Sequence, residues 1–171
     1  TIYQQLLQLT LAATEELDCK KYVYYSDKIE EGDQWQQKDF IQRLQEGNDL
    51  GERMENAFRE VFQEDAEQAI IIGSDCPQIT TALLEKAFDN LHEKNAVIGP
   101  AYDGGYYLLG IKNLEKRLFE NKQWSTSDVL EETINDFKTL DWDFEKLPFL
   151  RDIDQAEDLE ILQESIKSLT D

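Results

Sequence analysis

The sequence predicts an α/β fold, a mostly parallel central sheet with helices on both faces. Two observations lead to this prediction. Segments with a helical spacing of apolar residues alternate with short runs rich in Ile, Val and Tyr. One of these runs, "AIIIG" (69–73), is apolar without a break, as is typical of a strand covered on both faces. Alternation of strands and helices favours parallel pairing.

The first half of the chain opens with a helix. Apolar residues recur at every third or fourth position over 2–17, the stripe of an amphipathic helix. Two strands follow, "KYVYYSD" (21–27), rich in Val and Tyr, and the weaker "DFIQRLQ" (39–45). The helical spacing returns over 50–62, so a second helix leads into the apolar strand.

The second half continues the alternation. A third helix is predicted from Leu83 to Leu91, and Thr80 ahead of it is the expected N-cap. The remaining predicted elements are strands at 96–101 and 106–111, a short helical stretch at 114–120, a helix at 127–139, a strand within "DFEKLPFL" (143–150) and a last helix over 159–169. No repeat or linker interrupts this order, so we expect a single domain over residues 1–171.

Composition narrows the range of partners. The chain carries 17 Lys and Arg against 37 Asp and Glu, a formal net charge of -20. Nucleic acids and anionic membranes are bound chiefly through basic side chains, so neither is an expected partner. A small phosphorylated substrate is compatible with this net charge if a divalent cation offsets the repulsion between the protein and the phosphate. No membrane-length apolar run or signal peptide is recognisable, and we expect a soluble, cytoplasmic protein.

The number and spacing of the cysteine and histidine residues argue against several kinds of site. Cys19 and Cys76 have no C-x-x-C spacing, so we expect reduced thiols and neither a disulfide framework nor a zinc knuckle. His92 is the only histidine, which argues against a Ser-His-Asp triad and against histidine-rich metal centres.

The segment after the apolar strand is a candidate site. Gly73, Ser74 and Asp75 stand where ligands bind in open sheets, beyond the carboxyl end of a strand. Asp75 offers a hard oxygen ligand of the kind that Mg²⁺ or Mn²⁺ takes alongside substrate phosphates. Aspartate is also common as a cap of a following turn. Residue chemistry alone leaves both interpretations open.

A second carboxylate follows the next strand. In "GPAYDGGYYLLG" (99–110), Asp103 precedes Gly104 and Gly105, which let the next strand start close by. Asp75 and Asp103 could therefore meet at one edge of the sheet. The D-G-G sequence is also an ordinary hairpin turn, and spacing alone slightly favours that plainer interpretation.

The start of the last helix adds further carboxylates. Acidic residues in a first helical turn need no function beyond stabilising the helix dipole. Asp154 suits the N-cap of this helix, whereas Asp152 stands ahead of the cap and could face the same metal as Asp75.

Two loops are candidates for binding a substrate. "QEGNDLGERM" (45–54) leads into a helix whose free amides suit an anion, and Arg53 could add a phosphate contact. A solvated glycine loop is the favoured plain alternative. Ser125–Ser127 form a capping signal before a helix. Trp124 either belongs to the core or stacks on a sugar or base.

Five motifs taken together resemble a known family. In order they are Q-x-G-x-D-L-G-x-R-M, G-S-D-C-P, G-P-A-x-D-G-G-Y-Y-L-L-G, W-S-T and D-I-D-x-x-E-D-L. In this arrangement, over about residues 1–160, they resemble an uncharacterised bacterial glycosyltransferase-like family. That family is similar to the arsenosugar-biosynthesis glycosyltransferases and has the nucleotide-diphospho-sugar transferase (GT-A, Rossmann-like) architecture.

The resemblance implies a metal-dependent transferase that uses a nucleotide-diphospho-sugar to glycosylate a small acceptor. It places Asp75 where such folds have a metal-binding aspartate, with Asp152 and Asp154 as partners and Mg²⁺ or Mn²⁺ as the cofactor. Asp103 becomes the candidate catalytic residue that orients or deprotonates the acceptor. The residues expected to contact nucleotide or substrate are Gln45, Gly47, Asp49, Arg53, Ser74, Gly104, Gly105, Trp124 and Ser125.

The chain departs from the family pattern at its start, and two other functions remain open. Family members begin with a strand and a basic, glycine-containing loop, and nothing like it stands before Thr1. We therefore expect the natural protein to have an upstream segment that completes the nucleotide site. A nucleotidyltransferase, which releases pyrophosphate from a nucleoside triphosphate, would share the fold. So would a non-catalytic binding module.

Overall fold

The computed structural model describes residues 1–171 as five α-helices and six β-strands. The helices are α1 (Ile2–Thr14), α2 (Leu50–Gln63), α3 (Thr81–Glu93), α4 (Val129–Thr139) and α5 (Leu159–Thr170). The strands are β1 (Tyr22–Tyr25), β2 (Ile41–Leu44), β3 (Ala69–Ile72), β4 (Ala96–Pro100), β5 (Tyr106–Ile111) and β6 (Phe144–Lys146). Every predicted helix and strand is present, the stretch at 114–120 as a short 3-10 helix, Lys116–Leu118. None of the helices combines the length and apolar character needed to span a membrane.

The four-stranded sheet is mixed, which corrects the prediction of a mostly parallel sheet. Its order is β3-β5-β4-β6, with β5 antiparallel to both β3 and β4, and with β4 parallel to β6. The physical reason is the short turn between β4 and β5, because a connection of that length makes a hairpin, and hairpin partners are antiparallel. β1 and β2 form a separate parallel pair.

Three strands of the mixed sheet nonetheless point the same way. β3 and β4 are both antiparallel to β5, and β6 is parallel to β4, so β3, β4 and β6 share one direction. Their carboxyl ends therefore lie at one edge of the sheet. The segments that follow these ends contain Asp75, Asp103 and Asp152. The mixed sheet thus still places the carboxyl ends of these three strands together, as the predicted site requires.

Helices cover both faces of this sheet, as predicted. Val97 belongs to a core cluster that includes residues of α1 and α3, whereas its neighbour Ile98 packs with residues of α2 and α4. Successive side chains of a strand point to opposite faces, so the two clusters mark the two faces. α5 packs on α1 through Leu162. Burial of these clusters is the main favourable contribution to folding.

One predicted helix cap, Thr80, is present in the structure, and another, at Ser125–Ser127, is not. Thr80 caps α3, and its hydroxyl oxygen accepts a first-turn amide at 3.2 Å, as predicted. The capping signal read in Ser125–Ser127 is wrong, because α4 begins after Asp128 and no side chain caps it. Thr126 instead donates its hydroxyl to the Gln123 carbonyl at 2.7 Å, which closes the preceding turn.

Candidate active site

Four aspartates line one cleft at the carboxyl edge of the sheet. Asp75 follows β3, Asp103 lies in the β4–β5 turn, and Asp152 and Asp154 follow β6. The cleft has a volume of about 1900 Å³. The amide of Ile153 donates to the Asp75 carbonyl at 2.9 Å, which ties the segment after β6 to the segment after β3. We call these four residues the acidic cluster.

Gly73 makes room for the Asp75 carboxylate. A Cβ atom on residue 73 would lie 2.8 Å from Asp75 Oδ1, so the carboxylate folds back over the glycine. The helix that follows is capped by Thr80, and Asp75 is not needed for that purpose. The sequence G-S-D therefore presents a carboxylate to the cleft directly at the end of a strand.

Burial and, after it, the like charges of the acidic cluster raise carboxyl pKa values. Burial, followed by the charges of Asp154 and Asp103, raises the pKa of Asp75 above its ordinary value. Burial, followed by the charges of Asp75, Asp103 and Asp154, raises the pKa of Asp152 to about 7. Asp152 Oδ1 is also buried without a hydrogen-bond partner. Such a carboxyl group favours a bound proton or a nearby cation over an isolated negative charge.

The hairpin turn orients Asp103. Its Oδ1 accepts the Gly105 amide at 2.8 Å, while the residue as a whole is exposed to the cleft. The interpretation of D-G-G as a hairpin turn is thus confirmed. The same residue still presents its second oxygen, Oδ2, which makes no hydrogen bond within the chain.

Asp154 is not the helix cap. Asp158 Oδ2 accepts the amides of Asp154 at 3.2 Å and of Gln155 at 3.0 Å. The N-cap residue of α5 is Asp158, and no side chain caps this helix. The Asp154 side chain is exposed in the cleft and contributes its charge to the shift at Asp75.

The loop before α2 brings two predicted residues into the cleft. Gln45 and Arg53 both line it, and Arg53 Nη1 donates to Gln45 Oε1 at 3.3 Å. Arg53 Nε donates to the Gly47 carbonyl at 3.2 Å. Gly47 and Asp49 lie outside the cleft lining, and Asp49 is the N-cap of α2. Arg53 is thus a basic side chain held in the cleft by its own loop.

The segment before α4 also reaches the cleft. Trp124 and Ser125 line it, as do Ser74 and Gly105. Trp124 is half-buried and packs so closely on Gly51 of α2 that a Cβ atom there would overlap the indole ring. Its Nε1 is buried without a hydrogen-bond partner. Trp124 therefore belongs to the core on one side and to the cleft on the other.

Gly104 supports the site without lining it. Its φ is 90°, a left-handed value that favours glycine, and an added Cβ atom would overlap the backbone of Ser127. Its carbonyl accepts the Leu130 amide at 2.9 Å. Gly104 thus fixes the segment before α4 against the hairpin turn that carries Asp103.

We expect Gly104→Ala to lower the free energy of unfolding by about 3 kcal/mol, because it adds a steric overlap to an unfavourable φ. Gly32→Ala is the matched control: its φ is 73°, but nothing lies within 4 Å of an added Cβ atom. This control should lose about 1 kcal/mol. Denaturant unfolding of both variants measures the difference, and equal losses would contradict the packing described above.

From the raised pKa of Asp152 we also expect the stability of the protein to depend on pH. Its pKa is higher in the folded than in the unfolded chain, so the folded state binds more protons and stability falls as pH rises from about 4 to about 7. Asp152→Asn removes this loss. In buffer with a chelator, the variant should melt about 3–6 °C above the wild type at pH 8 and at the same temperature at pH 4. A difference independent of pH would contradict the assignment, and Asp89→Asn, on an exposed helix position, is the control.

The sequence did not reveal the part that β1 plays in the cleft. Tyr22 and Tyr24 line it, and their hydroxyls donate to Glu64, the C-cap of α2, at 2.7 Å and to Glu60 on α2 at 2.8 Å. Arg43 of β2 forms ion pairs with both glutamates. Val and Tyr content predicted the strand, but partners so far away along the chain leave no local signal.

The thiol of Cys76 next to Asp75 is unsuited to this chemistry. Both cysteines are free thiols, as predicted. Burial is the largest of the causes that raise the pKa of Cys76 to about 12, so this thiol stays protonated beside Asp75. A protonated buried thiol is neither a nucleophile nor a metal ligand.

The chain belongs to a family described as "Uncharacterized protein conserved in bacteria (DUF2064)", whose model matches residues 9–126. A solved structure from Desulfovibrio desulfuricans G20, provisionally described as a nucleotide-diphospho-sugar transferase, is 28% identical. It matches over 97% of this chain and 74% of that chain, with a TM-score of 0.86. These findings confirm the resemblance to a bacterial family with a GT-A-like fold.

A more distant structure shares the fold alone. Rv0371c from Mycobacterium tuberculosis H37Rv is 13% identical over 96% of this chain and 84% of that chain, with a TM-score of 0.56. No curated protein matches the sequence.

Proposed function

We propose that the protein is a metal-dependent transferase that takes a sugar from a nucleotide-diphospho-sugar and passes it to a small acceptor. The observation that carries this proposal is the acidic cluster, whose four aspartates line one cleft. Burial, followed by the charges of the neighbouring carboxylates, raises the pKa of Asp152 there to about 7. Like charges held in one cleft favour a cation between them and a charged substrate. The similarity to the Desulfovibrio protein supports the class of substrate.

The donor set suits Mg²⁺ or Mn²⁺. Both are hard cations that prefer oxygen ligands, and Mg²⁺ usually binds through one or two carboxylates, with substrate phosphates and water completing its coordination. No three His, Cys, Asp or Glu side chains form a complete metal site in the chain alone. Two carboxylates plus a diphosphate fit that finding, with Asp75 as the principal ligand and Asp152 or Asp154 beside it. The unpartnered Oδ1 of Asp152 is the atom that gains most from a cation.

A divalent cation bound there would neutralise the charge that develops on the departing diphosphate. In the transfer, the bond between the sugar carbon and the phosphate oxygen breaks, and a bond from that carbon to the acceptor oxygen forms. Asp103 takes the acceptor hydroxyl proton on Oδ2, because Oδ1 is held by the Gly105 amide. Arg53 and Gln45 contact the donor from the opposite loop, and Trp124 offers an aromatic face.

The test is a product analysis. The natural full-length protein is incubated with a panel of nucleotide-diphospho-sugars and small hydroxyl acceptors, with Mn²⁺ or with a chelator. We expect nucleoside diphosphate to be released together with a glycosylated acceptor only when metal is present. Pyrophosphate release from a nucleoside triphosphate would instead identify a nucleotidyltransferase. No turnover and no metal-dependent nucleotide binding would leave a binding module and reject the proposal.

A further inference from the structure

Two exposed aromatic rings and two basic side chains form a row beside the acidic cluster. Tyr102 is 62% exposed and Phe149 is 41% exposed, and their ring centroids lie 5.4 Å apart. Arg151 Cζ lies 4.8 Å from the centroid of the Tyr102 ring, and Lys146 Nζ lies 5.0 Å from that of the Phe149 ring. We call Lys146, Phe149, Tyr102 and Arg151 the basic aromatic row.

Backbone hydrogen bonds hold this row in place. The Tyr102 amide donates to the Leu150 carbonyl at 3.2 Å, and the Leu150 amide donates to the Pro100 carbonyl at 3.1 Å. These bonds continue the parallel pairing of β4 and β6 beyond the strand ends. The Arg151 amide donates to the side chain of Gln78 at 3.0 Å, on the segment before α3. A ligand that binds to the row therefore finds its contacts already ordered, which lowers the entropic cost of binding.

The row borders the cleft next to the candidate catalytic residue. Tyr102 directly precedes Asp103 in the chain. In the same way, Arg151 directly precedes Asp152. Both aspartates line the cleft, whereas the row itself lies outside its lining. Neighbouring Cα atoms are about 3.8 Å apart, so a ligand on the row lies beside the cleft at Asp103. This is where the proposed acceptor must place its hydroxyl.

The two basic side chains are free to bind an anion. Neither Arg151 nor Lys146 forms an ion pair within the chain, although acidic residues outnumber basic ones by 37 to 17. They give the row a local positive charge on a molecule whose net charge is -20. Such a charge attracts an anionic ligand that the rest of the surface repels. The planar guanidinium of Arg151 matches a carboxylate or a phosphate group.

The two rings supply an apolar surface next to these charges. A large part of each ring is accessible to solvent, and the rings lie side by side. Exposed apolar surface that is bordered by polar groups often marks a binding site. Ring surface next to a free cation fits a compound that has both a ring and an anionic group. The plain alternative is that the stems of the basic side chains only cover the rings, and it predicts no ligand.

We propose that the basic aromatic row binds the acceptor, and that this acceptor is a hydroxylated ring compound with a carboxylate or phosphate group. The inference rests on the proposed transferase function and names the class of acceptor. The ring packs on Tyr102 and Phe149, the anionic group lies at Arg151, and a hydroxyl reaches Asp103. During transfer the hydroxyl proton passes to Asp103 Oδ2 and the hydroxyl oxygen bonds to the sugar carbon, while the anionic group takes no part in the bond changes.

Isothermal titration calorimetry of the natural full-length protein tests this inference without any turnover. The probes are three pairs: para-hydroxybenzoate with para-hydroxybenzamide, glucuronate with glucose, and inositol monophosphate with inositol. The first pair tests a carboxylate on an aromatic ring, the second a carboxylate on a sugar ring, and the third a phosphate. A chelator removes any cation from the acidic cluster. We expect at least one anionic probe to bind at least about 10-fold more tightly than its neutral partner.

Variants of the row assign this preference to its residues. Arg151→Gln should reduce the preference to less than about 2-fold, and Arg151→Lys should keep part of it because the charge remains. Tyr102→Ala should weaken the binding of both members of a pair by a similar factor, since it removes ring surface and no charge. Lys138→Gln is the matched control, because it removes one positive charge from an exposed position of α4 outside the cleft. It should leave binding unchanged.

The outcomes separate this inference from the proposed function. Equal binding of both members of every pair, or a preference that survives in Arg151→Gln, would overturn the inference whether or not the protein transfers sugar. In the product analysis, Arg151→Gln should raise the KM of the preferred anionic acceptor about 10-fold and leave the KM of the donor unchanged. A preference that depends on Arg151, without sugar transfer to any acceptor, would reject the proposed function and support the row as an anion site.

Discussion

Asp75→Asn should lower kcat/KM for sugar transfer by about 100- to 1,000-fold while the protein stays folded. Asparagine keeps the size of the side chain but removes the charge that the proposed cation needs. Because the raised pKa of Asp75 shows that its ionised form is disfavoured in the fold, the melting temperature should stay the same or rise slightly.

Steady-state kinetics over a range of Mn²⁺ concentrations measures the effect of this change. Asp89→Asn is the matched control, because it is the same chemical change at an exposed position. Asp89 lies on α3, outside the cleft. The control should retain full activity. Full activity in Asp75→Asn would remove the metal role from that residue, and equal losses in both variants would point to an effect of net charge alone.

Phe137→Ala is expected to give the largest loss of stability. Phe137 is fully buried and packs on Trp142 and Phe144, with ring centroids 6.0 Å and 5.2 Å away. Truncation of such a side chain leaves a cavity and costs about 3–5 kcal/mol. For a chain of this length the melting temperature should fall by about 10 °C.

Phe149→Ala is the control for this second change, because 41% of Phe149 is exposed. It should cost less than about 1 kcal/mol. Thermal and denaturant unfolding of both variants measure the difference. A small loss of stability in Phe137→Ala would mean that Phe137 is not packed on Trp142 and Phe144 as described.

The elements of the fold were predictable because each leaves a local signal. The apolar run at 69–73 marked β3, and the spacing over 50–62 marked α2. The direction of β5 was not predicted correctly, since parallel pairing was inferred from alternation while the D-G-G turn had already been noted as a hairpin signal. The length of the turn, not the order of elements, decides how two neighbouring strands pair.

The sequence indicates some residues of the candidate site and gives no sign of others. The prediction that Asp75, Asp103 and Asp152 lie close together rests on each following a strand, and the structure places all three in one cleft. Gly47 and Gly104 are predicted to contact the substrate, but neither lines the cleft, and both have a positive φ of the kind that glycine supplies in tight turns. The pairing of Tyr22 with Glu64 and of Tyr24 with Glu60 depends on packing between distant segments and has no signature in the sequence.

We propose that the cleft binds a nucleotide diphosphate through a cation on the acidic cluster. The most direct measurement is the melting temperature of the natural full-length protein with nucleoside diphosphates and nucleotide-diphospho-sugars, each with Mn²⁺ and with a chelator. We expect at least one of these ligands, at about 100 times its Kd, to raise the melting temperature by about 5 °C or more only when Mn²⁺ is present. An equal shift in the presence of the chelator, or no shift with any ligand, would contradict it.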